Sequence, residues 1–108
     1  MPVSDDFLEY MIDQLSEWGE VYAKRMFGGA GLYRDGLMFG LVSNDVAYLK
    51  VDETNIDKFL KAGSAQFQPY PDKPMVMSFC EIPPDILENQ DELSKWAEES
   101  LAIQKKGK

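Results

Sequence analysis

The chain has 108 residues, 44% of them hydrophobic and 28% charged. This suits one compact domain with its own core and excludes a chain whose main state is disorder. Eleven Lys and Arg against nineteen Asp and Glu give a formal net charge of −8, and histidine is absent, so imidazole is unavailable as general base, metal ligand or triad member.

A single cysteine, Cys80, forms neither an internal disulfide nor a thiolate zinc site. Such cysteine usage fits a reducing cytoplasm. No run of about 18 apolar residues suggests a transmembrane helix. The opening residues, Met1-Pro2-Val3-Ser4-Asp5-Asp6, have neither the basic nor the apolar region of a secretory signal. The expectation is a cytoplasmic protein without a membrane contact, in which six methionines and thirteen aromatics fill the core.

The first helix is predicted to start at Ser4, whose hydroxyl can cap free N–H groups while Asp5 and Asp6 favour the positive end of the dipole. Phe7, Leu8, Met11, Ile12, Leu15 and Trp18 recur at helical spacing, and Gly19 is the expected stop. The pattern then turns to β-formers. Residues 21–27 and 30–34 read as two strands broken at Gly28-Gly29. Asp35-Gly36 is a two-residue hairpin signal, and residues 37–42 form a third strand. Asn44-Asp45 turns into a fourth at 46–51.

A second helix is expected after Asp52 or Thr54, with Ile56, Phe59 and Leu60 on its apolar face and Gly63 at its end. Residues 64–74 contain Pro69, Pro71 and Pro74 and read as a loop. A fifth strand at 75–81 is closed by Pro83-Pro84, a helical turn can form at 85–90, and a last helix runs from about Asp91 toward Lys105. On that helix Leu93, Trp96, Ala97 and Leu101 face the protein core, and the tail from Lys105 is expected to fray.

The order α-β-β-β-β-α-β-α with short turns predicts a single α+β domain over 1–108: an antiparallel sheet of about five strands with helices packed on one face. The third strand is apolar on both sides. Alternation puts Leu37, Phe39 and Leu41 on one side and Met38 and Val42 on the other. Burial on both sides is difficult in so small a monomer, which points to a homodimer or to a partner packed on the open face.

The most distinctive stretch is Lys24-Arg25-Met26-Phe27-Gly28-Gly29-Ala30-Gly31-Leu32-Tyr33. It resembles the signature of the TfoX N-terminal domain family, found in bacterial regulators of natural competence. Asp35 through Val42, Tyr48 through Asp52, Met77 through Pro83, and Leu93 with Trp96-Ala97 look like further parts of that pattern, in the family's order. The resemblance implies an α+β domain that takes part in regulating competence genes, with no known catalytic residue. Cys80 departs from the family, which usually has a large aromatic residue there. Longer members carry a second, C-terminal domain, and the residues here correspond to the N-terminal one.

The candidate interaction or anion-binding residues are Lys24, Arg25, Gly28, Gly29, Gly31, Tyr33 and Arg34. Residues 1–23 carry six acids and no base, whereas residues 24–34 carry three bases and no acid. The glycines can form a nest of N–H groups for an anion. They can equally serve a bulged hairpin with close packing at Gly31. A strand follows them, and no Gly-Lys-Ser/Thr ending occurs, so neither a P-loop nor a dinucleotide fingerprint is present. Arg25 shares a face with Val21, Ala23 and Phe27; it reads as half of a structural ion pair, with an interface anchor as the functional alternative. Cys80 reads as a buried, inert thiol. The acidic pairs Asp91-Glu92 and Glu98-Glu99 read as a solvated helix face, with no metal-loop spacing.

The leading reading is a non-enzymatic regulatory or protein-interaction module without cofactor or metal, whose partner is transcription machinery, a longer paralogue or a second copy. One alternative is a small anionic ligand held by the Gly-rich loop, or in a pocket between the sheet and the 64–74 loop walled by Phe67 and Tyr70. Another is weak nucleic-acid binding through Lys24, Arg25, Arg34 and the Lys105-Lys106-Lys108 tail. A net charge of −8 opposes the latter.

Overall fold

The computed structural model describes residues 4–26, 29–67 and 78–106. The chain begins with α1 (Asp5–Gln14), followed by β1 (Tyr22–Met26), β2 (Gly29–Arg34), β3 (Leu37–Ser43) and β4 (Val46–Lys50). Then come α2 (Ile56–Lys61), β5 (Phe79–Glu81), α3 (Pro84–Leu87) and α4 (Gln90–Lys106). The five strands form one sheet in the order β1-β2-β3-β4-β5, and every neighbouring pair is antiparallel. The α+β architecture is the one the hydrophobic pattern predicts.

One core unites the layers. Leu8, Met11 and Leu15 from the α1 region, Phe59 from α2, and Leu93, Ala97 and Leu101 from α4 meet Ala30, Leu32, Phe39, Val42, Leu49 and Cys80 of the sheet. Helices thus cover one side of the sheet. The opposite side, here called the second face, carries the alternate strand residues.

Ser4 caps α1 as expected, accepting a hydrogen bond from the Phe7 N–H at 3.2 Å. The helix ends four residues before Trp18, however, and Gly19 is not its stop. The Ser16 and Trp18 N–H groups bond to the carbonyls of Asp13 and Leu15, three residues back, and the Ser16 hydroxyl donates to the Asp13 carbonyl at 2.8 Å. Side-chain competition and i→i−3 bonding tighten the last turn. Trp18 still reaches the core, edge-on to Phe39 at 5.1 Å.

The parity expected for β3 is corrected. Leu32 pairs with Gly40 but Tyr33 pairs with Met38, so Phe39 is an extra residue in β3. A bulge shifts the alternation by one. Phe39 and Val42 therefore both enter the core, while Leu41, outside that cluster, joins Met38 on the second face. The Asp35-Gly36 hairpin is as predicted, with φ of 54° and 77°, the left-handed values such a turn requires.

Three further expectations change. Leu60 is 51% exposed, because in a six-residue helix Ile56 and Phe59 already fill the one buried stripe. Part of the expected 64–74 loop is extended: Phe67 N–H donates to the Phe79 carbonyl at 2.7 Å and Glu81 N–H to the Ala65 carbonyl at 3.0 Å, so residues 65–67 run along β5. Lys105 and Lys106 belong to the last turn of α4, where cations complement the dipole, rather than to a frayed tail. The expected strand residues 75–77 and the three prolines lie outside the described residues.

At the end of β4 the buried polar groups satisfy one another. The Lys50 carbonyl accepts from the Ser100 hydroxyl at 2.8 Å and from the Asn55 amide at 3.2 Å, and the Asn55 Oδ1 accepts from the Asp52 N–H at 2.8 Å. This fastens α4 and the start of α2 to the end of β4. Among the described residues no helix is long and apolar enough to cross a membrane.

Candidate functional site

The β1–β2 hairpin carries the candidate residues, and its register sorts them onto two faces. Tyr22 faces Tyr33, Lys24 faces Gly31 and Met26 faces Gly29, while Arg25 faces Ala30. Since Ala30 belongs to the core, Arg25 and Arg34 project from the helix-covered side. Lys24, Gly29, Gly31 and Tyr33 share the second face. Gly28 lies outside the described residues. The six described candidates therefore do not converge on one point.

The second face near β1 is aromatic and basic. Tyr22 and Tyr33 stack at 5.4 Å with an interplanar angle of 11°, and the Lys24 ammonium lies 5.8 Å from the Tyr33 ring centre. Tyr22 is 47% exposed and Met38 is half-buried beside them. Toward the other edge, Tyr48 packs on Phe67 at 4.9 Å and Lys50 lies over Phe79 at 5.3 Å. Burial and the neighbouring Glu81 carboxylate both push the Tyr48 phenol above its ordinary pKa. Phe67 is separated from Tyr48 by a helix and a turn, so no local spacing in the sequence signals their contact. Tyr70, the other wall of the expected pocket, lies outside the described residues.

Gly29 and Gly31 belong to β2 and are paired to β1. A Cβ at Gly29 would stand 2.4 Å from the Val42 carbonyl oxygen, so close approach of β3 accounts for that glycine.

On the helix-covered side each arginine is engaged. Arg25 pairs with Asp5 in the first turn of α1, the structural ion pair that its position suggests. The Arg34 guanidinium lies 4.4 Å over the Trp18 ring, a cation–π contact bridging the α1–β1 connection to the end of β2. Gly19 leaves the room: a Cβ there would meet Arg34 Cζ at 2.6 Å. One terminal nitrogen of Arg34, Nη1, is buried without a hydrogen-bond acceptor among the described residues. The sequence offers no sign of this clamp, because Trp18 and Arg34 are brought together only by the hairpin.

Beside the start of β1, a pocket of about 410 Å³ is lined by Ile12, Ser16, Gly19, Glu20, Val21 and Tyr22. Cys80 is fully buried, and desolvation raises its thiol pKa, so thiolate is disfavoured there. No group of His, Cys, Asp and Glu suited to a metal ion occurs among the described residues.

The five-stranded antiparallel meander with helices gathered over one face defines a small two-layer α+β domain. The second face near β1 carries the stacked Tyr22–Tyr33 pair with Lys24 beside it. The chain belongs to the TfoX N-terminal domain family, which it matches over residues 13–103. That span takes in the whole sheet and the Trp18–Arg34 contact. No curated protein matches the chain significantly.

Proposed function

We propose that this domain is a non-enzymatic regulatory module, of the kind that serves competence regulators, acting in the cytoplasm by binding a protein partner through the β1–β2 end of its second face. The observation that carries this reading is the stacked Tyr22–Tyr33 pair with Lys24 beside it, part-exposed on an antiparallel strand pair. Tyrosines on a scaffold supply contact area at low entropic cost and are enriched at interface hot spots.

Charge supports a protein partner over nucleic acid. The strands contain Lys24, Arg25, Arg34 and Lys50 against the one acid Glu81. Arg25 and Arg34, however, are turned to the helix side and engaged there. Two lysines on the second face among the described residues are few for a phosphate backbone, in a chain of net charge −8. Transcription machinery and a longer paralogue of the family are the partners this reading favours.

The test is affinity capture from the native host after mild cross-linking, with the wild-type chain and a Tyr22→Ala/Tyr33→Ala variant side by side. The expected result is a defined protein recovered by the wild type and depleted at least about tenfold by the variant, the effect of losing a hot-spot pair. Recovery of the bait alone, or equal recovery by both chains, would overturn the reading.

A further inference from the structure

The pocket beside the start of β1 is a hollow with largely apolar walls. They come from α1, the turn that follows it and the connection into β1: Ile12, Ser16, Gly19, Glu20, Val21 and Tyr22. Ile12 and Val21 are half-buried, Gly19 brings no side chain, and the Ser16 hydroxyl is already used on the Asp13 carbonyl. The volume of about 410 Å³ lies within the range of binding pockets, ~300–1,000 Å³. Half-exposed aliphatic walls are wetted apolar surface, which an apolar side chain from another molecule would remove from water.

Tyr22 borders this pocket and also stacks on Tyr33, so the pocket continues the tyrosine surface. The charges around it are polarised along the chain. Glu20 precedes Tyr22 and is exposed at the pocket. Lys24 follows Tyr22 and is exposed on the second face beside Tyr33. Neither has a side chain of opposite charge paired to it among the described residues. Tyr22 and Lys24 share one side of β1, two residues and about 7 Å apart at the rise of a strand. One molecular surface thus offers a cation, a tyrosine pair, an apolar hollow and a carboxylate in sequence.

We propose that this pocket is the anchor point for a protein partner, receiving one bulky apolar side chain (leucine, isoleucine or phenylalanine) from an extended partner segment. An aspartate or glutamate two residues from that anchor meets Lys24, and the side of the segment toward Glu20 carries no acid. Burial of the anchor supplies affinity, as a side chain seated in a pocket does at interface hot spots. The two rim charges set direction: a reversed segment would bring its acid against Glu20, and such like-charge contacts suppress wrong arrangements. This inference rests on the reading of the domain as a protein-interaction module and names the chemistry of the partner at that surface.

The test selects displayed random heptapeptides on the full-length chain and measures the enriched peptides by fluorescence anisotropy. Expected is a consensus of one bulky apolar residue with an acid two residues to one side of it. Bound to the methyl-labelled chain, such a peptide should shift the Ile12 and Val21 methyl resonances. Ser16→Trp, which fills the pocket from an exposed position, should weaken binding at least about tenfold, the range for losing a buried apolar side chain. Lys24→Glu should weaken it by about fivefold, the upper range of an exposed ion pair. No enriched peptide, unmoved Ile12 and Val21 methyls, a consensus without an acid, or an affinity indifferent to Ser16→Trp would each overturn the proposal. Self-association of the wild type that Ser16→Trp abolishes would also overturn it, by giving the pocket to a second copy. If circular dichroism shows Ser16→Trp unfolded, the methyl shifts and Lys24→Glu decide. If the tyrosine-dependent capture succeeds while no peptide enters the pocket, the anchor proposal fails alone. If peptides bind as expected while capture recovers only the bait, the second-face reading fails alone.

Discussion

Tyr22 and Tyr33 stack with an interplanar angle of 11° across the first strand pair, on the face turned away from every helix. Neither ring contributes to the core cluster, so the contact is available for function without being required for the packing of the helices. A double-mutant cycle of Tyr22→Ala and Tyr33→Ala in urea denaturation should give a coupling energy of about 0.5–1 kcal/mol, the lower range for aromatic pairs because Tyr22 is half exposed. Strict additivity would mean that the rings are independent in solution.

Gly19 and Arg34 form a second testable pair. Gly19→Ala reduces the entropy of the unfolded chain, a gain of about 0.4–1 kcal/mol. It also displaces the guanidinium from Trp18, a loss of about 0.5–1 kcal/mol. The two nearly cancel, so the melting temperature should hardly move while the Trp18 indole N–H resonance shifts. In an Arg34→Ala background the clash is gone, and Gly19→Ala should then stabilise the chain. Destabilisation in that background would show that the backbone of Gly19, and not the space beside it, is what requires glycine.

The bulge in β3 separates two adjacent apolar residues. Phe39 is fully buried and Met38 is half-buried on the second face. Phe39→Ala should cost about 3–5 kcal/mol, whereas Met38→Lys should cost under about 1 kcal/mol, since its ammonium can reach water. Chemical denaturation of both variants measures this directly. Comparable losses would contradict the register shift at Phe39.

Cys80 gives a pH prediction. Its thiol pKa is raised in the folded chain by desolvation. The folded state therefore binds the thiol proton more tightly than the unfolded state. The associated stability is fully present below the unfolded thiol pKa and falls as pH rises through the folded one. Alkylation of the native chain by iodoacetamide at pH 8 should be far slower than in denaturant, and Cys80→Ser should flatten the loss of stability between about pH 8 and 10. Fast native alkylation would place the thiol in reach of solvent.

The element order, the meander and the family are legible along the chain. Each strand has its own β-formers and its own turn residues, and Ser4 with Asp5 and Asp6 marks the first helix start. These are local signals, carried by spacing within about ten residues. Which residues meet follows from strand pairing and packing instead. Strict alternation cannot anticipate a bulge, so the second-face position of Leu41 and the core position of Phe39 came from the pairing of β2 with β3. The basic run from Lys24 to Arg34 reads as one patch along the chain, yet the pleat sends Arg25 and Arg34 to the helix side, against Asp5 and Trp18, and leaves Lys24 beside Tyr33. Faces are a property of pairing between strands, and pairing is fixed by the core that the whole chain builds.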